Sequence, residues 1–282
     1  MSEFILSCTT CATRQPWHDE IEDCFTYAPK AGYKAWGIAG PACWTPGFSQ
    51  WLDLGRIRQR ADEVGLTRCT EVYSMPIPTD SVEMAQKAAK QIARNFDMAE
   101  GLGSPLVVFS GGKRQPGGIE ATIAGLEALL PLIEDKDVKL AIEPHYRSQI
   151  MFLSDYDAIF DAIDSPQVGI TLDSGHFHSA NVDWRQVIDR YTDRILNFHV
   201  KDHISIQSVA LGAGEIDLRA YIETLHAIDY KGALAVELEV VDFENLLRYT
   251  GEAYAYVSEM VADVTGQAVA IKKLNRFSYR KA

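Results

Sequence analysis

Basic residues are scarce in this chain: 27 Lys and Arg stand against 39 Asp and Glu, a formal net charge of −12. Binding to a polyanion needs clustered Lys and Arg, so nucleic acid is not an expected partner. Long apolar runs are missing too. None reaches the roughly 20 residues that a bilayer span requires. The first residues, Met-Ser-Glu-Phe-Ile-Leu-Ser, carry an acid where a secretory signal would carry a base. A soluble cytoplasmic protein without a membrane partner is the expectation. Cysteine is limited to Cys8, Cys11, Cys24, Cys43 and Cys69. An odd set confined to the first quarter argues against a disulfide framework, and one Cys-x-x-Cys without a second pair reads as buried reduced thiols. The dinucleotide fingerprint is also absent. Residues 211–217 contain Gly-x-Gly but lack the third glycine and fall late in the chain.

What is present is regular alternation. Strand-like runs cover 4–7, 33–38, 66–73, 105–109, 138–143, 168–172, 195–200 and 232–237. Helix-like stretches lie between and after them at 17–31, 54–64, 81–100, 118–134, 155–163, 184–191, 218–228 and 243–264. Gly65 and Gly101 read as helix stops and Ser154 as a cap. Eight βα units in 282 residues, 47% of them apolar, match the size of a closed barrel, which takes about 250 residues. The predicted fold is therefore an α/β, (β/α)8 barrel, with residues 1–282 forming a single domain and a basic, peripheral tail at 272–282.

Four of the later strand-like runs end in a charge or an imidazole. They are Glu143 in Leu-Ala-Ile-Glu, Asp173 in Ile-Thr-Leu-Asp, His199 in Leu-Asn-Phe-His and Glu237 in Leu-Ala-Val-Glu. Charges at the carboxyl ends of buried parallel strands mark the active end of a barrel, and these converge only if the sheet closes. Three carboxylates and one imidazole form an oxygen-rich donor set. It suits Mn²⁺, Mg²⁺ or Co²⁺ better than a structural zinc, which favours thiolates.

On these residues the chain resembles the xylose isomerase-like barrel superfamily of sugar phosphate isomerases and epimerases. That group includes ketose 3-epimerases, hydroxypyruvate isomerase, inosose dehydratase and, more distantly, the endonuclease IV type of repair enzyme. Glu143, Asp173 with His176, His199 and Glu237 match its pattern in order and spacing, and residues 211–217 match its loop after strand seven. The resemblance implies one divalent metal ion per chain, Mn²⁺ first and Mg²⁺, Co²⁺ or Zn²⁺ as alternatives. It also implies a small-molecule carbohydrate substrate and a homo-oligomer, a dimer or tetramer. Two departures stand out. The regions Thr70-Glu71-Val72-Tyr73 and Phe109-Ser110-Gly111-Gly112 lack the extra histidines of the repair branch, so a single metal is implied. Ala35-Trp36-Gly37-Ile38-Ala39 lacks the acid that many relatives carry at the end of strand two.

Such a site can hold a carbonyl and a neighbouring hydroxyl and stabilise the enediolate left when the adjacent C–H proton departs. Glu143 and Glu237 would serve as ligands and as acid and base on opposite faces. Return of the proton to the same carbon is epimerisation, delivery to the neighbouring carbon is isomerisation, and delivery to a leaving oxygen is elimination. The leading expectation is an isomerase or epimerase; the alternative is a lyase acting on a 3-keto-sugar, keto-glycoside or inosose. Candidate substrate contacts are His176, His145, Arg147, Lys201, Trp36 and Phe109, with Trp17 and Trp44 as further aromatic candidates. The loop 110–114 is a candidate phosphate cradle. Segments 9–15 and 40–52 are expected to form a lid.

Overall fold

Strand parity decides which side chains can meet inside a closed sheet, because successive residues point to opposite faces. The computed structural model describes residues 4–16, 18–39 and 53–266. The expected cover at 40–52, with Cys43 and Trp44, lies outside the described residues, as do Trp17 and the tail at 272–282. The strands are β1 (Ile5–Thr9), β2 (Ala35–Ile38), β3 (Arg68–Tyr73), β4 (Leu106–Ser110), β5 (Lys139–Glu143), β6 (Val168–Asp173), β7 (Ile195–Val200), β8 (Asp202–Ile204), β9 (Gln207–Val209) and β10 (Ala233–Val236). Eight of them close into a parallel barrel in the order β1-β10-β7-β6-β5-β4-β3-β2, while β8 and β9 form a separate antiparallel hairpin.

Helices α1 (Glu20–Ala31), α2 (Leu54–Glu63), α3 (Val82–Leu102), α4 (Gly118–Leu129), α5 (Leu153–Ala162), α6 (Ser174–Ser179), α7 (Trp184–Tyr191), α8 (Leu218–Ala227) and α9 (Leu246–Thr265) alternate with the strands. The outward strand residues Leu140, Ile142, Ile170, Leu172, Phe198, Leu234 and Val236 share one apolar core with Phe25, Phe96, Leu126, Ile159, Tyr221 and Val257 of the helices. Each such buried side chain stabilises the fold by about 1.5–3 kcal/mol. The inward face is small and polar instead. Ser7 pairs with Thr70 through their hydroxyls at 2.7 Å, and Ala235 lies level with Ser7. That leaves room for charged side chains at the carboxyl rim.

Several boundaries differ from the sequence reading, each for a local reason. Helix α3 runs through Gly101 and ends at Gly103, whose φ of +70° accepts the left-handed turn. Gly101 is a packing residue: a Cβ there would lie 2.4 Å from Leu54 Cδ1. Helix α4 gives way to a 3₁₀ turn at Leu130–Leu132, which contains Pro131. The start of α5 is held by Asp155, not Ser154; its Oδ2 accepts from the N–H of Met151 and Phe152 at 3.0 and 2.9 Å. No described helix is long and apolar enough to cross a membrane.

Candidate metal centre

Glu143 ends β5, Asp173 ends β6, His199 is the penultimate residue of β7, and Glu237 follows β10. The barrel order sets β7 and β6 side by side, with β10 and β5 flanking them. The register aligns Asp173 with His199. One ligand-type atom from each of the four residues lies within 4.8 Å of all the others, and all four residues are buried.

His199 is the hub. Its Nδ1 stands 2.7 Å from Glu143 Oε1, 2.9 Å from Glu237 Oε2 and 3.6 Å from Asp173 Oδ2. A single ring N–H can serve only one oxygen well, and Glu143 is the nearest. Asp173 Oδ2 and Glu237 Oε2 are left without a properly directed hydrogen bond, although both are buried. Lys201 Nζ approaches them at 3.3 and 3.2 Å, so charge attraction is present there without good donor geometry. Orphaned, buried carboxylate oxygens converging with an imidazole nitrogen are a fitting donor set for a hard or borderline divalent cation.

Two ionisable groups missed by sequence reasoning complete the centre. Glu71 on β3 is fully buried, and both its oxygens lie 3.1 Å from His199 Nε2. Tyr73, also on β3, donates to Glu143 Oε2 at 2.5 Å. An acid inside the third strand, between Thr70 and Val72, was one signal for Glu71.

Burial and mutual charge divide the titration of these groups. Burial raises the carboxyl of Glu143 above its ordinary value, against the opposing pull of His199. Burial also resists ionisation of Asp173 and Glu237, but Lys201 and His199 outweigh it and hold both below the usual range. Burial disfavours the charged forms of His199 and Lys201, yet the surrounding carboxylates raise both, Glu71, Glu237 and Glu143 acting on His199 and Asp173, Glu237 and Glu239 on Lys201.

His176 lies in the first turn of α6, which Asp173 caps by accepting the His176 N–H at 2.7 Å. The Asp-x-x-His spacing therefore gives Asp173 two tasks, one oxygen capping and the other facing the cluster. The Tyr146 N–H lies 3.3 Å from His176 Nδ1, which assigns the ring proton to Nε2. Nε2 is 3.4 Å from Lys201 Nζ. Two donors thus stand side by side.

Not every candidate contact reaches this centre. His145 is exposed at the rim and packs against His176, with ring centroids 4.0 Å apart and the planes tilted by 38°. Arg147 is exposed, with its guanidinium over Tyr146. Trp36 and Phe109 face the helix layer. Trp36 packs edge-on against Phe25 of α1 at 4.9 Å. Phe109 is aligned with Ile142, while its neighbour Ser110 is aligned with the inward Glu143.

The loop 110–114 is a packing element. Gly111 and Gly112 lie against the backbone of Ile150 and Ile77, and Arg114 is bidentate to Asp155 at 2.9 and 3.0 Å. The loop after β7 is organised by Asp202, whose carboxylate accepts from the N–H of Gly212, Gly214 and Ile216. The described cysteines, Cys8, Cys11, Cys24 and Cys69, are buried free thiols.

A family model described as a xylose isomerase-like TIM barrel matches residues 25–259. The 3-oxo-isoapionate decarboxylase of Pectobacterium atrosepticum is 28% identical over 61% of this chain and 62% of its own length. The inosose dehydratase of Clostridium perfringens is 28% identical over 48% of this chain and 52% of its own. The chain thus spans between half and two thirds of the length of these curated relatives. The D-allulose 3-epimerase from Methylomonas sp., solved with D-allulose, superposes with a TM-score of 0.74 at 17% identity, covering 92% of this chain and 98% of that one. The IOLI protein, solved with a zinc atom, gives 0.77 at 16% identity, covering 92% of this chain and 99% of that one. At these identities the structural likeness establishes the fold.

Proposed function

The chain belongs to the xylose isomerase-like TIM-barrel family, and from that premise we propose that it is a divalent-metal-dependent isomerase or epimerase of an uncharged keto-sugar. Glu143, Asp173, His199 and Glu237 hold the metal, with Mn²⁺ placed before Mg²⁺, Co²⁺ or Zn²⁺. When bound, the ion supplies Lewis-acid stabilisation of the negative charge that develops on substrate oxygens. The observation that carries the reading is the pair of glutamates on either side of His199 Nδ1, at 2.7 and 2.9 Å, on strands that flank β6 and β7. Each carboxylate has a second oxygen, and each comes from a different side of the site. One takes the proton next to the substrate carbonyl, and the other delivers one on the opposite face.

Charge supports an uncharged substrate. The centre gathers Glu71, Glu143, Asp173, Glu237 and Glu239 around Lys201 and His199, so it repels a phosphoryl group. Arg114 is committed to Asp155. Relatives named for D-allulose and for inosose are consistent with a neutral polyol ketone.

The adjacent donors Lys201 Nζ and His176 Nε2 favour elimination as a second reading. A buried ammonium beside an imidazole N–H can hold, and then protonate, a departing hydroxyl or alkoxide. The curated relative named inosose dehydratase points the same way.

The test is a panel of ketoses, keto-glycosides and inososes incubated in D₂O with Mn²⁺-loaded protein and followed by NMR. Deuterium at the carbon next to the carbonyl with an epimer or isomer as product supports the first reading. An unsaturated or dehydrated product supports the second. Absence of exchange with every substrate in the panel would count against both.

A further inference from the structure

Glu71 and His199 are brought together from opposite walls of the barrel. In the closed order β3 lies four strands from β7 in either direction, so the Glu71 side chain crosses the interior to reach its partner. Gly37 on β2 makes this path possible: a Cβ there would stand 2.5 Å from Glu71 Cγ. The strand-two position without an acid is thus the space through which a strand-three acid passes.

At the far end, both carboxylate oxygens of Glu71 lie 3.1 Å from His199 Nε2. The Asn197 side-chain amide also donates to Glu71 Oε2. The amide oxygen of Asn197 is buried and has no hydrogen-bond partner, so the amide is turned to serve Glu71. Among the described residues, the His199 ring and the Asn197 amide both meet this carboxylate with nitrogen.

We infer that Glu71 is the positioning residue that fixes the ring proton of His199 on Nε2 and so keeps Nδ1 free, as a lone-pair donor, for the metal. The inference rests on the metal site of the proposed function but on no particular reaction. A neutral imidazole carries one N–H and one lone pair. Only the tautomer with the proton on Nε2 can offer Nδ1 to a cation beside Glu143 and Glu237. An ionised carboxylate at Nε2 accepts and never donates, so it excludes the opposite tautomer. It also locks the ring plane and raises the basicity of the ligating nitrogen.

Substitution by glutamine makes the case sharp. In Glu71→Gln the Asn197 amide selects the glutamine oxygen, and the new NH₂ turns toward His199 Nε2. That NH₂ donates to Nε2 and moves the ring proton to Nδ1, where it competes with the metal. Mn²⁺ affinity, measured by calorimetric titration, should fall about 10- to 100-fold. Adding Asn197→Asp in the same chain gives the glutamine NH₂ an acceptor, turns its oxygen back to Nε2, and should restore much of the affinity.

The tautomer is read directly. Long-range ¹⁵N–¹H spectra of histidine-labelled, Zn²⁺-loaded wild-type protein should show His199 protonated at Nε2. Protonation at Nδ1 would overturn the inference even if the variants fail to fold. A Glu71→Gln protein that binds Mn²⁺ as tightly as the wild type would overturn it alone. A wild type that binds no divalent ion would overturn the metal reading, and this inference with it.

Discussion

Tyr73 donates its phenolic proton to Oε2 of Glu143 at 2.5 Å. The other oxygen of that carboxylate faces His199, so on the proposed mechanism the phenol holds the oxygen left over for proton transfer. A hydrogen bond to a charged group contributes about 1.5–3 kcal/mol, and here it favours the ionised form of Glu143. Burial already pushes the Glu143 carboxyl up. Removal of the phenol in Tyr73→Phe pushes it further. A proton donor must be protonated, so the activity that needs Glu143 as donor exists below its pKa and is lost above it. The basic limb of kcat/KM should move upward by about one to two pH units, with Mn²⁺ affinity retained. An unmoved basic limb would mean that Glu143 is not the group titrating there.

Lys201 is the second point of leverage. Its ammonium is 2% exposed and lies within 3.3 Å of Asp173, Glu237 and Glu239. Breaking a buried pair by removing one partner costs on the order of 3–5 kcal/mol, because the remaining charge is uncompensated. Metal-free Lys201→Met should therefore melt well below the metal-free wild type at neutral pH. Mn²⁺ should raise its melting temperature by more than it raises the wild type's, because the ion replaces the lost positive charge. The sign also fixes a pH dependence. Asp173 and Glu237 are held below the ordinary carboxylate range, so their contribution is present above roughly pH 4 and is lost on further acidification. Differential scanning calorimetry of the two proteins across that range should show their melting temperatures converging as the pH falls.

The barrel and its four convergent donor-type side chains were legible because each rests on a local pattern. Apolar runs of strand length alternate with helical stretches, and a charge closes four of the runs where only a rim residue belongs. Glu71 was not legible as part of the site. It sits within a strand, and its partner His199 lies 128 residues away on the opposite wall. The clue was split between the acid in β3 and the glycine in β2. Trp36 and Phe109 were misread for a related reason. An aromatic next to a rim residue is turned away from the site by strand parity, and only the register, Ser110 with Glu143 and Phe109 with Ile142, decides which of the two faces inward. Short α6 and the β8–β9 hairpin escaped notice because α6 depends on its Asp173 cap and the hairpin pairs only three residues a side, with no periodic apolar signal.

Metal binding should also release a proton. Burial opposes a charge on His199, but Glu71, Glu237 and Glu143 outweigh it and keep the metal-free ring protonated above its ordinary value. An ion at Nδ1 must displace that proton. About one proton per site should be released near neutral pH, and affinity should rise up to about tenfold per pH unit while His199 remains the titrating group. Titration of Mn²⁺ in buffers of differing ionisation enthalpy measures the release directly. Affinity that stays flat between about pH 6 and 8 would remove His199 from the ligand set.

The sharpest test separates the two glutamates. An amide can still offer an oxygen to a cation but cannot accept a proton. Glu143→Gln and Glu237→Gln should therefore fold and retain much of their metal while losing about 100- to 10,000-fold in turnover. Their surroundings differ, so their failures should differ. Burial raises Glu143 and leaves it bonded to a phenol, whereas Lys201 and His199 keep Glu237 ionised against its burial. On the proposed mechanism we assign Glu237 as the group that takes the substrate proton first, and Glu143 as the group that holds and delivers one. On this assignment Glu237→Gln should abolish solvent exchange of the substrate's α-proton together with turnover. Glu143→Gln should still exchange that proton while forming little product. Exchange lost in Glu143→Gln and kept in Glu237→Gln would reverse the two roles. Near-wild-type turnover with full exchange in both variants would remove the glutamates from proton transfer and leave His176 and Lys201, with their facing donors 3.4 Å apart, as the groups to vary next.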